Sequence, residues 1–227
     1  MRIGIVAAMK PEMESLLDEM EDAEQTKIIG STFNEGTIGN HEVVLVESGI
    51  GKVNSALATY ILIHDFECSF IINTGIAGGT APLKHRDVVI AESLRYHDVD
   101  ATIFGYKYGQ VPGMPVEYAP SIDSIVMVKS VLNKLGIEYN VAKVYSGDQF
   151  VSSMDALKHV DDTKGIACEM EGTSIAQTCV RGGVDFIVLR YISDIIGEEN
   201  QNESYLEFEA DMAKRSAEIC IKLISNM

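Results

Sequence analysis

Short, nearly continuous apolar runs alternate along this chain with segments of helical period. Arg2 to Ala8, Ser69 to Thr74, Asp87 to Glu92 and Asp185 to Tyr191 are the apolar runs, rich in Ile and Val. Strands of this kind suit a sheet covered by helices on both faces. Between Thr26 and Ser48 two β-rich pieces flank Gly39-Asn40, which reads as a hairpin turn, so a mixed sheet is expected. Helices follow from spacing: Met13, Leu16, Leu17 and Met20 recur at i, i+3, i+4 and i+7 with carboxylates between them. Ile175, Ala176, Cys179 and Val180 form a second stripe, and Tyr205, Phe208, Met212, Ile219 and Leu223 a third. Two more helices are predicted from Lys52 to His64 and from Ile122 to Leu135. The least regular stretch, Tyr96 to Pro120, holds three Pro and three Gly, and at that length it points to a functional or interface segment. With no internal repeat and no long polar linker, the expected fold is α/β: a single domain over residues 1–227, a mixed β-sheet flanked by helices.

Composition narrows the classes of partner. The 227 residues are 46% apolar and 23% charged, as in an ordinary globular protein with a full core. Lys and Arg number 18 against 34 Asp and Glu, a formal charge of −16 that repels phosphate backbones and anionic lipid. Nucleic acid and membrane are therefore not expected as partners. Apolar stretches such as Ala56 to Ile63 fall short of the roughly 18 residues of a membrane span. Met1 to Val6 leads straight into a strand-like run without a signal-peptide cleavage site. Cys68, Cys168, Cys179 and Cys220 lie far apart with no C-x-x-C pair, as reduced thiols in the cytoplasm would. Residues 11–26 and 191–213 each carry seven carboxylates and no Lys or Arg, and most of these read as solvated helix faces. Glu12 and Asp194 differ, because each sits just beyond a buried strand, where open α/β sheets bind ligands.

Several nucleotide, metal and hydrolase motifs fail. In Gly49-Ile50-Gly51-Lys52-Val53-Asn54, Asn54 stands where the dinucleotide fingerprint needs Gly, and Val53 where a P-loop needs Ser or Thr. There is no H-E-x-x-H and no G-x-S-x-G. His97-Asp98-Val99-Asp100 offers two or three metal ligands but no partner elsewhere. Asn73 to Gly79 follows a buried strand directly; it is either a tight strand-to-loop turn or a place where glycines let backbone approach a ligand.

Taken together in order, the motifs carry a resemblance that covers essentially the whole chain. They are Ala7-Ala8-Met9 with Glu12, Ser48 to Asn54, Asn73 to Gly79, Tyr96 to Thr102, Phe104 to Pro112, Ser146 to Phe150, Glu169-Met170-Glu171 and Arg190 to Asp194. In this order and spacing the sequence resembles the 5′-methylthioadenosine/S-adenosylhomocysteine nucleosidases, of the nucleoside phosphorylase superfamily. The resemblance implies a nucleoside phosphorylase-like fold and hydrolysis of an adenine N-glycosidic bond. The enzyme would be cofactor-free and homodimeric, with a small adenine nucleoside as substrate. Asp194 matches the general acid to adenine N7, and Glu12 matches the carboxylate that polarises the attacking water, with Arg190 nearby. Glu171 and Met170, in the Glu169-Met170-Glu171 run, match the ribose-binding pair. Phe150 matches the ring stacked on adenine, and the backbone of Val151 the group reading the purine edge. Met9, Ile50 and Tyr205 match the 5′-substituent pocket, completed from the neighbouring subunit by Phe104 and Pro112. Ile76, Ala77, Gly78 and Ser193 fall in motifs that line the same site.

Three positions depart from the pattern: Ala7 replaces a common glycine, Tyr205 a more usual Phe, and Ile76 a common Ser. Because the Ile76 side chain has no polar atom, the water is expected to be held by Glu12, backbone groups or Arg190. The chemistry fits these residue types. Breaking C1′–N9 makes a ribosyl cation and an adenine anion, so the leaving group needs a proton and the cation needs negative charge nearby. Asp194, between Ile192 and Ile195-Ile196, has an apolar setting suited to an acid. Glu12 and Glu171, both expected to be ionised, would face the cation. Lys84 and Arg86 are expected at the far end of the next strand, leaving phosphate no site and water as the nucleophile. The alternatives are a phosphate-dependent phosphorylase, a hydrolase of a larger nucleoside such as an aminofutalosine, and a non-catalytic nucleoside-binding protein.

Overall fold

In chain order the elements are β1 (Arg2–Ala7), α1 (Lys10–Asp18), β2 (Glu21–Ile28), β3 (Ser31–Ile38), β4 (His41–Glu47), α2 (Lys52–His64), β5 (Phe70–Gly79), β6 (Val88–Tyr96), α3 (Ile122–Lys134), β7 (Asn140–Ser146), β8 (Ile166–Glu169), α4 (Gly172–Gly182), β9 (Asp185–Ile195) and α5 (Gln201–Ser225). This computed structural model describes residues 1–160 and 164–227, without the side chains of 202–204, 207–210 and 212. Phe208 and Met212 of the third apolar stripe therefore lie outside the described residues. Among the described residues no helix is long and apolar enough to cross a membrane.

The strands form one mixed sheet in the order β2-β3-β4-β1-β5-β8-β7-β6-β9, and β9 also pairs with β5, closing its second half into a ring. β1 lies between β4 and β5, parallel to both. The expected hairpin is present, with Ile38 opposite His41 across Gly39-Asn40. Alternation along the strands divides the core. Ile3, Ile5, Val43, Leu45 and Ile72 pack with Leu16 and Leu223 on one side of the sheet. Val44, Val46 and Ile71 pack with Leu62 and Ile175 on the other. Both faces are dry because helices cover both, which is why the strands read as unbroken apolar runs.

Three expectations need correction. The acidic stretch through Thr26 is helical only to Asp18; Glu21–Ile28 is an edge strand paired with β3, and its charged side chains face solvent. Charge on an edge strand deters pairing with another chain. β7 and β8 were not predicted, since Ile166–Glu169 has only four residues and β7 mixes polar with apolar positions. Val180 is exposed, so the buried face of α4 ends at Cys179. Val111 and Met114, within the stretch read as a functional or interface segment, are half-buried against the α2 side of the core, while Pro112 and Pro115 remain exposed.

β5 and β9 run several residues past their apolar stretches, paired from Phe70↔Asp185 to Gly79↔Ile195. Ala77 faces Ile192 but Gly78 faces Asp194, so β9 carries one extra residue, Ser193, at that point. Such a bulge re-aims the side chain that follows it. The carboxyl-terminal ends of β1, β5 and β9 thereby bring Glu12, Gly75 to Gly78 and Asp194 to one end of the sheet.

Candidate active site

The site is built where helix starts meet strand ends. Glu12 sits in the first turn of α1, behind Met9, and folds back onto that turn: its Oε2 accepts from the N–H groups of Ala8 (2.8 Å) and Met9 (3.0 Å). This reciprocal use of a third-position glutamate is a helix-start device that also immobilises the carboxyl group. Its Oε1 accepts from the Ile76 N–H at 3.3 Å. The Ile76 position therefore contributes a backbone donor to Glu12 and an apolar side chain to the wall. Gly75 is required here by close approach, because a Cβ on it would lie 2.6 Å from Glu12 Oε1. Gly78 is equally constrained, with a Cβ 2.9 Å from Asp194 Oδ2. Gly75 and Gly78 of the Asn73–Gly79 segment thus make room for the protein's own carboxylates, inside a strand rather than a turn.

Asp194 is fully buried and held at both oxygens. Ser193 Oγ donates to Oδ1 at 2.6 Å, and Gln201 Nε2 donates to Oδ2 at 2.7 Å. Glu169 and Glu171 flank Met170 at the start of α4. Glu169 Oε2 accepts from the N–H groups of Glu171 (3.0 Å) and Gly172 (2.7 Å) and from Arg190 Nη2 (2.5 Å), and Oε1 accepts from Ser146. Glu171 Oε1 accepts from the Gly51 N–H at 2.8 Å. Arg190 lies behind the cleft wall. Its guanidinium also donates to Asn73 Oδ1 at 2.5 Å and to the Leu189 carbonyl at 3.0 Å, leaving Nε buried without a partner among the described residues.

These groups surround a cleft of about 480 Å³. Glu12, Ile76, Ala77, Gly78, Ser193 and Asp194 line it together with Glu169, Met170 and Glu171. Met9, Ile50, Phe150 and Tyr205 also line it. The Phe150 and Tyr205 rings meet edge-on with centroids 5.4 Å apart, and the Tyr205 hydroxyl lies 3.8 Å from Met9 Sδ. An adjoining space of about 270 Å³ is bounded by Gly78, Phe150, Val151, Asp194 and Ile196. Ala8 and Cys168 line the cleft too, and burial pushes the Cys168 thiol well up, which keeps it neutral. Phe104 and Pro112 are exposed and outside this cleft. Arg86 lines a different cavity, beside Asn133 and Tyr139. Asn73, Ser146 and Gln201, which orient the charged groups, were not singled out from sequence. Asn73 and Ser146 stand inside quoted motifs, whereas Gln201 carries no signal in its acidic surroundings.

The charge state differs from expectation. Burial raises Glu12 above its ordinary value, with Arg190 and the three backbone donors opposing. Burial and then the neighbouring Glu169 charge push Glu171 up to about 8. For Glu169 burial is outweighed by Arg190, Ser146 and the Gly172 N–H, which hold it below the usual carboxylate range. Glu171 is thus mainly protonated in the unliganded protein at neutral pH, not ionised, because burial and the Glu169 charge outweigh the Gly51 N–H and Arg190.

This has a consequence for stability. Between its ordinary 4.5 and about 8, native Glu171 holds a proton that unfolding releases, so its contribution falls as pH rises through that window and is level above it. Glu171→Gln, uncharged throughout, is expected to melt close to wild type at pH 5 and increasingly above it towards pH 9. Differential scanning calorimetry across that range checks this; a gap that does not widen with pH contradicts it.

Comparison with known proteins agrees with this geometry. The profile of the phosphorylase superfamily matches residues 2–225. A 5′-methylthioadenosine/S-adenosylhomocysteine nucleosidase of Geobacillus kaustophilus is 41% identical over 234 residues, covering 100% of this chain and 98% of that protein. The structure of S-adenosylhomocysteine nucleosidase from Streptococcus pyogenes in complex with 5-methylthiotubericidin has a TM-score of 0.94 at 39% identity, over 100% of this chain and 97% of that one. The futalosine hydrolase of Helicobacter pylori has a TM-score of 0.93 at 33% identity, over 100% and 98%. With the match running from the first strand to the last helix, the chain belongs to the phosphorylase superfamily and, within it, to the 5′-methylthioadenosine/S-adenosylhomocysteine nucleosidase family.

Proposed function

We propose that this protein hydrolyses the N-glycosidic bond of 5′-methylthioadenosine and S-adenosylhomocysteine, releasing adenine and the thioribose. The observation that carries the reading is a cleft lined by Glu12, Glu171 and Asp194 with no Lys or Arg lining it among the described residues. A phosphate dianion has no counter-charge there, since Arg190 stands behind the wall bonded to Glu169. Water is the nucleophile. Glu12 takes its proton as the oxygen bonds to C1′, C1′–N9 breaks, and Asp194 delivers a proton to N7 of the departing purine. Phe150 supplies the stacking face and the Val151 backbone the polar edge for adenine. Glu171 and Met170 hold the ribose, while Met9, Ile50 and Tyr205 receive the 5′-substituent. The apolar cleft walls keep these electrostatic effects strong.

Incubation with 5′-methylthioadenosine, with and without phosphate, tests the reaction. Free adenine at the same rate in both is expected; a requirement for phosphate with release of a sugar 1-phosphate makes the protein a phosphorylase. Ready cleavage of larger 5′-substituents alone favours a futalosine-type hydrolase.

Asp194→Asn tests the acid. Asp194 lies within β9, seven residues before the first residue of α5, so it does not cap a helix. Asn preserves a hydrogen bond but cannot transfer a proton, and kcat is expected to fall by about 10²–10⁴-fold with KM changing far less. Near-normal turnover in a folded variant removes Asp194 from this role.

The same reading includes a homodimer in the cytoplasm. Four buried, unbridged cysteines suit a reducing compartment. Val53, Leu57 and Tyr60 form an exposed apolar stripe on α2, and Ile103, Phe104 and Pro112 are exposed on the 96–120 loop. In a two-fold dimer Phe104 and Pro112 would complete the partner's 5′-substituent pocket. Light scattering at micromolar protein should give twice the chain mass; a fully active monomer removes Phe104 and Pro112 from the site.

A further inference from the structure

Gln201, the first residue of α5, is buried yet belongs to none of the groups that the proposed reaction uses. Its carboxamide is fully engaged. Nε2 donates to Asp194 Oδ2 at 2.7 Å and to the Val151 carbonyl at 2.9 Å, and Oε1 accepts from the Gly197 N–H at 3.0 Å. The orientation of the amide is fixed by these partners. Turned over, it would set an oxygen against a carboxylate and a carbonyl and an NH₂ against an N–H. Gln201 does not line the cleft or the adjoining space, so it stands behind their wall. From there it joins the group placed on adenine N7 to the backbone placed on the purine edge. One turn along the same helix, Tyr205 lines the cleft.

We propose that Gln201 is a positioning residue for proton delivery: its carboxamide locks the Asp194 carboxyl group and the Val151 carbonyl into one arrangement facing the purine. The inference rests on the reading of Asp194 as the acid. The carboxyl torsion of an aspartate is soft, and proton transfer needs donor and acceptor heavy atoms within about 2.6–3.2 Å. With Ser193 on one oxygen and Gln201 on the other, rotation of the group is blocked on both sides. When the proton leaves for N7, the carboxylate that remains already has two donors in place, so no reorganisation accompanies the transfer. The Val151 bond keeps the purine wall in register with the acid. A misplacement of about 1 Å at such a centre costs about 10²-fold in rate.

The test uses Gln201→Met, similar in length with no donor, and Gln201→Glu, nearly the same shape with acceptors in place of the NH₂. Two substrates separate positioning from general damage: 5′-methylthioadenosine, whose leaving group needs a proton, and the 4-nitrophenyl glycoside of 5-methylthioribose, whose leaving group does not. Both variants are expected to lose about 10–10²-fold in kcat on methylthioadenosine, with KM within about threefold of wild type. On the nitrophenyl glycoside they should retain near wild-type kcat. Equal losses on both substrates mean that Gln201 only supports the fold, and no loss on methylthioadenosine means that Asp194 is positioned without it; either overturns the proposal. If Gln201→Met does not fold, the comparison is made with Gln201→Glu alone. Wild-type protein that releases no adenine from methylthioadenosine overturns the functional reading itself, and this role with it.

Discussion

One buried guanidinium among several buried carboxylates is the constraint around which this site is organised. Arg190 is nearly inaccessible and its ion pair is with Glu169, so Glu12 and Glu171 share only its field. Burying a carboxylate without compensation is costly enough that the group takes up a proton or recruits donors. Both outcomes are present: Glu171 is pushed towards its neutral form, while Glu12 gathers three backbone N–H groups. Glu169, by contrast, is held ionised by Arg190, Ser146 and the first N–H groups of α4, which outweigh its burial. The negative end of the cleft is therefore adjustable, since a developing ribosyl cation would favour ionisation of the groups that burial now restrains.

Secondary structure supplies the geometry that these charges need. The start of α1 returns Glu12 towards β5, and the start of α4 anchors Glu169, so two helix N-termini act on two carboxylates. The long β5–β9 pairing supplies the floor. Its bulge at Ser193 turns Asp194 towards Gly78, and the missing side chains at Gly75 and Gly78 leave room for carboxylate oxygens at distances where a methyl group could not fit. Asp194 is thereby held on a strand, with Ser193 and Gln201 as its flanking donors, instead of on a loop.

Sequence patterning made the central strands, the hairpin and five helices legible, each for a local reason, whereas most of the cleft-lining positions came only from the family resemblance. Continuous apolar runs report burial on both faces, and i, i+3, i+4 spacing reports a helix face. Glu12 and Asp194 stood out as acids directly after such runs. The ordered motifs from Ala7-Ala8-Met9 to Asp194 were informative because together they extend over the whole chain. Glu21–Ile28 was hidden because an exposed edge strand and a solvated helix face have the same polar composition. β8 was hidden because four residues are too few to show a period.

Which charges share the cleft depends on distances between residues far apart in the chain, and only the tertiary structure decided it. Glu169 stands only two residues before Glu171, but nothing local says that both are buried or that the guanidinium near them is bonded to Glu169, and so nothing local says that Glu171 carries a proton at neutral pH. Nothing in Asn200-Gln201-Asn202 marks Gln201 as the partner of Asp194 and Val151, because that role comes from where α5 begins relative to β9. Residue type and spacing determine which groups are available and which segments are buried. Electrostatic state and orientation are set by neighbours within a few ångströms, and those neighbours are chosen by packing.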